Sequence, residues 1–175
     1  LCCGRLYDAH ESTGGPRMST KAVKHIPDGY HTVTAYLTVD DAARAIDFYV
    51  QAFAATELYR LPMGDMIGHA EIKIGDTHIM LSDEFASMNV KGPNARGGPT
   101  AAFMIYVEDA DAAFARAIKA GARADRAVEN QFWGDRMGSV IDPFGHKWSL
   151  ATHVEDVPPE EMQKRMAAWS AAQGS

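Results

Sequence analysis

The chain has 175 residues, 46% of them apolar and 23% charged, a composition suited to one compact body with a substantial core. A formal charge of −6 with no basic stripe excludes a phosphate-backbone binder. No apolar run reaches the roughly 20 residues of a membrane span, and no charged start with an apolar stretch marks secretion, so the expected location is cytoplasmic, without membrane or nucleic-acid partners.

Residues 1–26 form a leader with too few periodic apolar residues to bury, and disorder is expected there. Its adjacent Cys2 and Cys3 fit neither a disulfide framework nor a zinc pattern. The stretch STGGPRMSTKAVKHIPDG suggests Met18 as the natural start, with residues 1–17 preceding it.

From Thr34 the pattern becomes regular. Ala35, Leu37 and Val39 alternate with Thr34, Tyr36 and Thr38, which predicts a strand. Asp40 and Asp41 then supply capping carboxylates for a helix near 41–53, with Ala45, Ile46, Tyr49, Ala52 and Phe53 on one face. Three further strands are expected in TELYRL, GHAEIKI and THIMLSD.

The same order returns 68 residues later, pairing Val39 with Val107, Asp41 with Asp109, Ala45 with Ala113 and Ala52 with Ala120. Phe103, Ile105 and Val107 alternate with Ala102, Met104 and Tyr106. A helix near 109–120 follows, with Gly121 placed to end it in a left-handed conformation. The strands ADRAVEN, RMGSVID and KWSLATH complete the copy, the last two joined by the turn at Asp142-Pro143-Phe144-Gly145. Beyond Pro158-Pro159 a tail to residue 175 carries Met162, Met166 and Trp169 at helical spacing. That stripe packs either on its own sheet or on a second subunit.

The expected fold is therefore α+β, two tandem βαβββ modules over about 30–85 and 100–153, within a single domain at 27–157. YLTVDDAARAIDFY, GHAEIKIGDTHIMLSDE, GDR at 134–136, DPFGH and ATHVEDV, in this order, resemble the vicinal oxygen chelate superfamily, most of all its PhnB-like branch. That superfamily holds glyoxalase I, bleomycin-resistance proteins and extradiol dioxygenases, and the resemblance runs roughly over residues 27–165. It implies an incomplete barrel around a cavity, a dimer and, in metal-dependent members, one ligand on the first and last strand of each module. Carried over, those positions fall on Thr34, Met80, Ala102 and Ser149. None supplies the imidazole or carboxylate that zinc, nickel or iron needs, so no metal or other cofactor is expected.

Strand alternation sends Tyr36, His69, Glu71, Met80, Met104, Tyr106, Ser149 and His153 toward the cavity. His69 and Glu71 are candidate catalytic groups, since two residues apart on one strand face suits a proton relay. It suits an ordinary sheet pair equally. Tyr36, Met80, Met104 and Tyr106 offer adaptable apolar surface for a ligand, or simply fill a core. Arg136 is a candidate clamp for a ligand carboxylate or phosphonate, or the partner of Asp135 or Glu71. Trp133 is a stacking wall or an interface anchor. His153 faces the cavity or caps backbone groups; His25, His31, His78 and His146 read as surface, turn or structural residues.

Three functions follow: a metal-free small-molecule binder acting as a homodimer; a glyoxalase-like lyase or isomerase, with Glu71 or His69 as base or a divalent metal on displaced ligands His69, Glu71 and His153; and a dimer whose cavity is filled by side chains.

Overall fold

The computed structural model describes residues 23–173. Cys2, Cys3, Met18 and most of the expected leader lie outside the described residues.

The first module runs β1 (Ala35–Val39), α1 (Ala42–Phe53), β2 (Thr56–Met63), β3 (Met66–Ile74) and β4 (Thr77–Asp83). A linker with a 3-10 turn at Ala86–Met88 and a short helix α2 (Pro93–Arg96) leads to the second. That module is β5 (Ala102–Tyr106), α3 (Ala110–Ala120), β6 (Arg123–Asn130), β7 (Asp135–Ile141) and β8 (Lys147–His153), and α4 (Pro159–Gln173) follows. The sheets have the equivalent orders β1-β4-β3-β2 and β5-β8-β7-β6. In each, the helix crossover makes the first strand parallel to the last, and tight turns make the other pairings antiparallel. This is the expected α+β pair of βαβββ modules, and the sheets do not close into a barrel.

Both helices start where the acidic pairs predict. Asp41 accepts from the Arg44 amide at 3.0 Å and Asp109 from the Ala112 amide at 2.9 Å. Gly121 ends α3 in the left-handed region (φ 113°), whereas Ala54 does the same for α1 without a glycine. The last strand of module one also buttresses its helix, because the Asp83 carboxylate accepts from the amides of Ala42 at 2.7 Å and Ile67 at 2.6 Å. In module two Thr152 replaces it, accepting from Ala110 and donating to the Val107 carbonyl.

One apolar core spans both modules. Tyr49 and Phe53 of α1 lie 5.5 and 4.9 Å from the Trp148 ring on β8, and Arg116 of α3 donates to the Ala52 carbonyl at 2.9 Å. The modules thus pack through their helix-bearing faces. The junction is fixed by Asp142 in the β7–β8 turn: one oxygen accepts from the amides of Phe144 and His146, the other from Tyr49 Oη and Trp148 Nε1, each at 2.8 Å. Burial pushes the Asp142 carboxyl above the usual range, opposed by these donors and by His146. His146, read as a surface or turn-stabilising residue, does brace the turn through its bonds to Asp142, and it is buried rather than exposed, with Nε2 3.0 Å from the Thr38 carbonyl of the other module.

Among the described residues no helix is long and apolar enough to cross a membrane.

Candidate functional site

Because Leu37, Val39, Trp148 and Leu150 face the helices, alternation turns the intervening residues to the helix-free faces. Register then places Tyr36 beside Met80, Met80 beside Glu71 and Glu71 beside Tyr59 across the first sheet. In the second sheet Met104 pairs with Ser149 and Ser149 with Ser139, Tyr106 with Ala151 and Ala151 with Met137, and Asp135 with His153.

On the first face four polar side chains form a hydrogen-bonded row. Tyr36 Oη lies 3.1 Å from His69 Nδ1; His69 Nε2 lies 3.2 Å from Tyr59 Oη and 3.3 Å from Glu71 Oε1. Tyr59 Oη donates to the same Glu71 oxygen at 2.5 Å. The Nε2–H tautomer of His69 satisfies the whole row, with Tyr36 donating to Nδ1 and His69 donating to the carboxylate. Glu71 is only 6% exposed, while Tyr36 is 51% exposed, so the row leads from a shielded carboxylate to an open end.

The second face carries a different row. Asp135, 3% exposed, accepts from Trp133 Nε1 and Tyr106 Oη at 3.1 Å each, and its other oxygen lies 2.9 Å from His153 Nδ1. His153 Nε2 reaches Asp156 at 3.0 Å. Hydrogen bonds to Asp156 and then Asp135 raise the His153 pKa, opposed only by slight desolvation. The bond to Asp135, with burial, likewise raises that of Tyr106.

Of the residues singled out in the sequence, Tyr36, His69, Glu71 and Met80 share the first face, and Met104, Tyr106, Ser149 and His153 the second. Trp133 joins the second row through Asp135. Arg136 points the other way: its guanidinium holds Asp111 on α3 at 2.5 and 2.7 Å and Asn130 at 3.1 Å. Its partner is thus neither Asp135 nor Glu71, because it lies on the helix side of β7. Sequence reasoning missed Tyr59, the anchoring role of Asp135, and Asp156. For Asp135 the signal was its position two residues from Trp133 and opposite the end of KWSLATH; for Tyr59 it was obscured by a bulge between Leu61 and Pro62.

Thr34, preceding β1, and Met80, Ala102 and Ser149 offer no strong donor shell. The displaced set does not converge either: His69 and Glu71 belong to the first row, and both nitrogens of His153 are engaged in the second. Among the described residues no three His, Cys, Asp or Glu side chains form a metal-holding group.

A family model for the Glyoxalase/Bleomycin resistance protein/Dioxygenase superfamily matches residues 29–150. An uncharacterised protein of Mycobacterium tuberculosis is 41% identical over 168 residues, 94% of each chain. Among solved structures, TioX from Micromonospora sp. ML1 superposes with a TM-score of 0.56 at 26% identity, over 73% of this chain and all of that one. The PhnB protein of Bacillus cereus gives 0.57 at 16% identity, over 70% of this chain and 99% of that one, a likeness of fold alone.

Proposed function

The chain belongs to the glyoxalase/bleomycin resistance protein/dioxygenase superfamily, and from that membership we propose that it is a cytoplasmic, metal-free binder of a small organic molecule on its helix-free sheet faces. The Tyr36–His69–Glu71–Tyr59 row carries this reading. It presents a carboxylate, an imidazole and two phenols beside the apolar Met80, the mixture of adaptable surface and few orienting polar groups that characterises ligand sites. Met104, Tyr106, Ser149, Trp133 and His153 offer the corresponding surface on module two. Tyr36, Met104 and Tyr106 are each about half exposed. The proposal therefore includes a second copy of the chain, whose sheet face covers them and encloses the cavity.

Thermal-shift screening followed by calorimetry with Glu71→Gln tests this. The substitution keeps the shape and removes the charge, and affinity for a ligand found by screening is expected to fall by about 1–3 kcal/mol. An enzymatic reading is favoured by one observation, the convergence of Tyr59 and His69 on a single Glu71 oxygen, which gives a proton a path between three groups. In that case Glu71 or His69 is the base of a glyoxalase-like lyase or isomerase, and Glu71→Gln abolishes turnover while affinity barely moves.

A further inference from the structure

The C-terminal helix lies beyond residue 150, where the family match ends, and it builds something of its own. Arg165 ties it down, bonding both oxygens of Glu155 at 2.7 and 2.8 Å and reaching the Phe132 carbonyl at 3.4 Å. This sets Trp169 against Phe132, with ring centroids 5.7 Å apart and planes inclined by 38°, while Phe132 meets Trp133 edge-on at 4.9 Å. Trp133 is itself fixed by its bond to Asp135. Between α4 and the β6–β7 edge these rings leave a groove of about 630 Å³, with Met137 and Met166 among its lining residues. That volume suits a small ligand.

We infer that this groove is a second binding site, for a planar aromatic molecule that is uncharged or zwitterionic. Two indoles and a phenyl ring held at mutual angles present both faces and edges for stacking, and two methionines supply polarizable contacts that adapt to ring outlines. The charged groups on the lining are one guanidinium, Arg126, and one carboxylate, Glu129. They balance, so a ligand of net charge gains no field, whereas one with a donor and an acceptor finds a partner for each. The inference rests on the module-two part of the function proposed above, sharing Trp133 and the face that carries Met137, but on none of the module-one row, whose failure is read separately.

The test is calorimetry on the full chain with 2-naphthol as the uncharged probe, and with naphthalene-2-sulfonate and N-methylquinolinium as anionic and cationic counterparts. The expected result is one 2-naphthol per chain, weakened about tenfold or more by Trp169→Ala but largely retained by Trp169→Phe, with both ions binding less tightly. Trp169 is 49% exposed, so either variant should fold, and near-ultraviolet circular dichroism from the buried Trp148 verifies it. Glu71→Gln should bind 2-naphthol as the wild type does, which separates this site from the module-one row. Absence of 2-naphthol binding, equal binding by Trp169→Ala, or tighter binding of either ion would overturn the inference. So would sedimentation showing that Trp169→Ala dissociates a dimer and that 2-naphthol competes with dimerisation, since the groove would then be the seat of a second copy.

Discussion

Tyr59 Oη donates to Glu71 Oε1 at 2.5 Å, and His69 Nε2 lies 3.3 Å from the same oxygen. The two donors converge on one shielded oxygen, and each matters to the fold as well as to the site. Tyr59→Phe should therefore lower stability by about 1 kcal/mol, since His69 still partners Glu71. His69→Phe added to it should cost more than the sum of the two single changes, because the last side-chain donor to Glu71 in the row is then gone. Urea titrations of the four proteins measure this; strict additivity would show that water replaces the missing donors.

The Asp142 carboxylate joins module two to Tyr49 of module one. Asp142→Asn turns a donor toward Tyr49 Oη or Trp148 Nε1, both already donors, and should destabilise by about 2 kcal/mol in chemical denaturation. Tyr49→Phe removes only one of four donors and should cost less, about 1 kcal/mol.

His153 stands between Asp156 and Asp135, whose hydrogen bonds raise its pKa. A raised histidine contributes stability that is fully present below its unfolded value, about 6.5, and lost as pH rises through the higher folded value. The stability difference between wild type and His153→Gln should therefore be largest below about pH 6.5 and shrink as pH rises through the raised folded value. Paired melts across that range suffice, and a constant difference would contradict the pairing.

Gly134 has φ +99°, and a Cβ there would stand 2.1 Å from the Glu155 carbonyl oxygen, which is backbone and cannot rotate aside. That carbonyl belongs to the segment whose Val154 and Glu155 amides bond Gly134 O. Gly134→Ala should cost about 2–4 kcal/mol and push this segment, with α4, off the body. Faster proteolysis between 155 and 165 and altered Trp169 emission are the expected signs.

If a second copy covers the open faces, sedimentation at micromolar concentration should give about twice the chain mass of 19.1 kDa. Tyr106→Glu, on a residue 63% exposed, should shift the equilibrium toward monomer by placing a charge in the interface. A monomer at all concentrations would leave the half-exposed Tyr36, Met104 and Tyr106 as solvent-facing walls of an open groove.

What the sequence determined by itself was local or repeated. Alternation in AYLTV and AFMIY, the stripes on α1 and α3, and the capping Asp41 and Asp109 all depend on residues a few positions apart, and the 68-residue repeat made each module evidence for the other. The same alternation grouped Tyr36, His69, Glu71 and Met80 on one face without any knowledge of tertiary contacts. Only the tertiary structure decided the partners. Counting back from the Gly64-Asp65 turn sets Tyr59 against Ala70; the bulge between Leu61 and Pro62 slips the register by one residue and brings Tyr59 to Glu71 instead. Arg136 could satisfy its charge with any nearby carboxylate, and the packing of α3 on β7 selected Asp111. Asp142 and Tyr49 meet across 93 residues of chain because the helix-bearing faces of the modules pack together. Side-chain direction along a strand follows from the chirality and pleat of its own backbone, whereas the identity of a neighbour depends on cross-strand register and on how separate layers dock, neither of which is written in any short stretch of sequence.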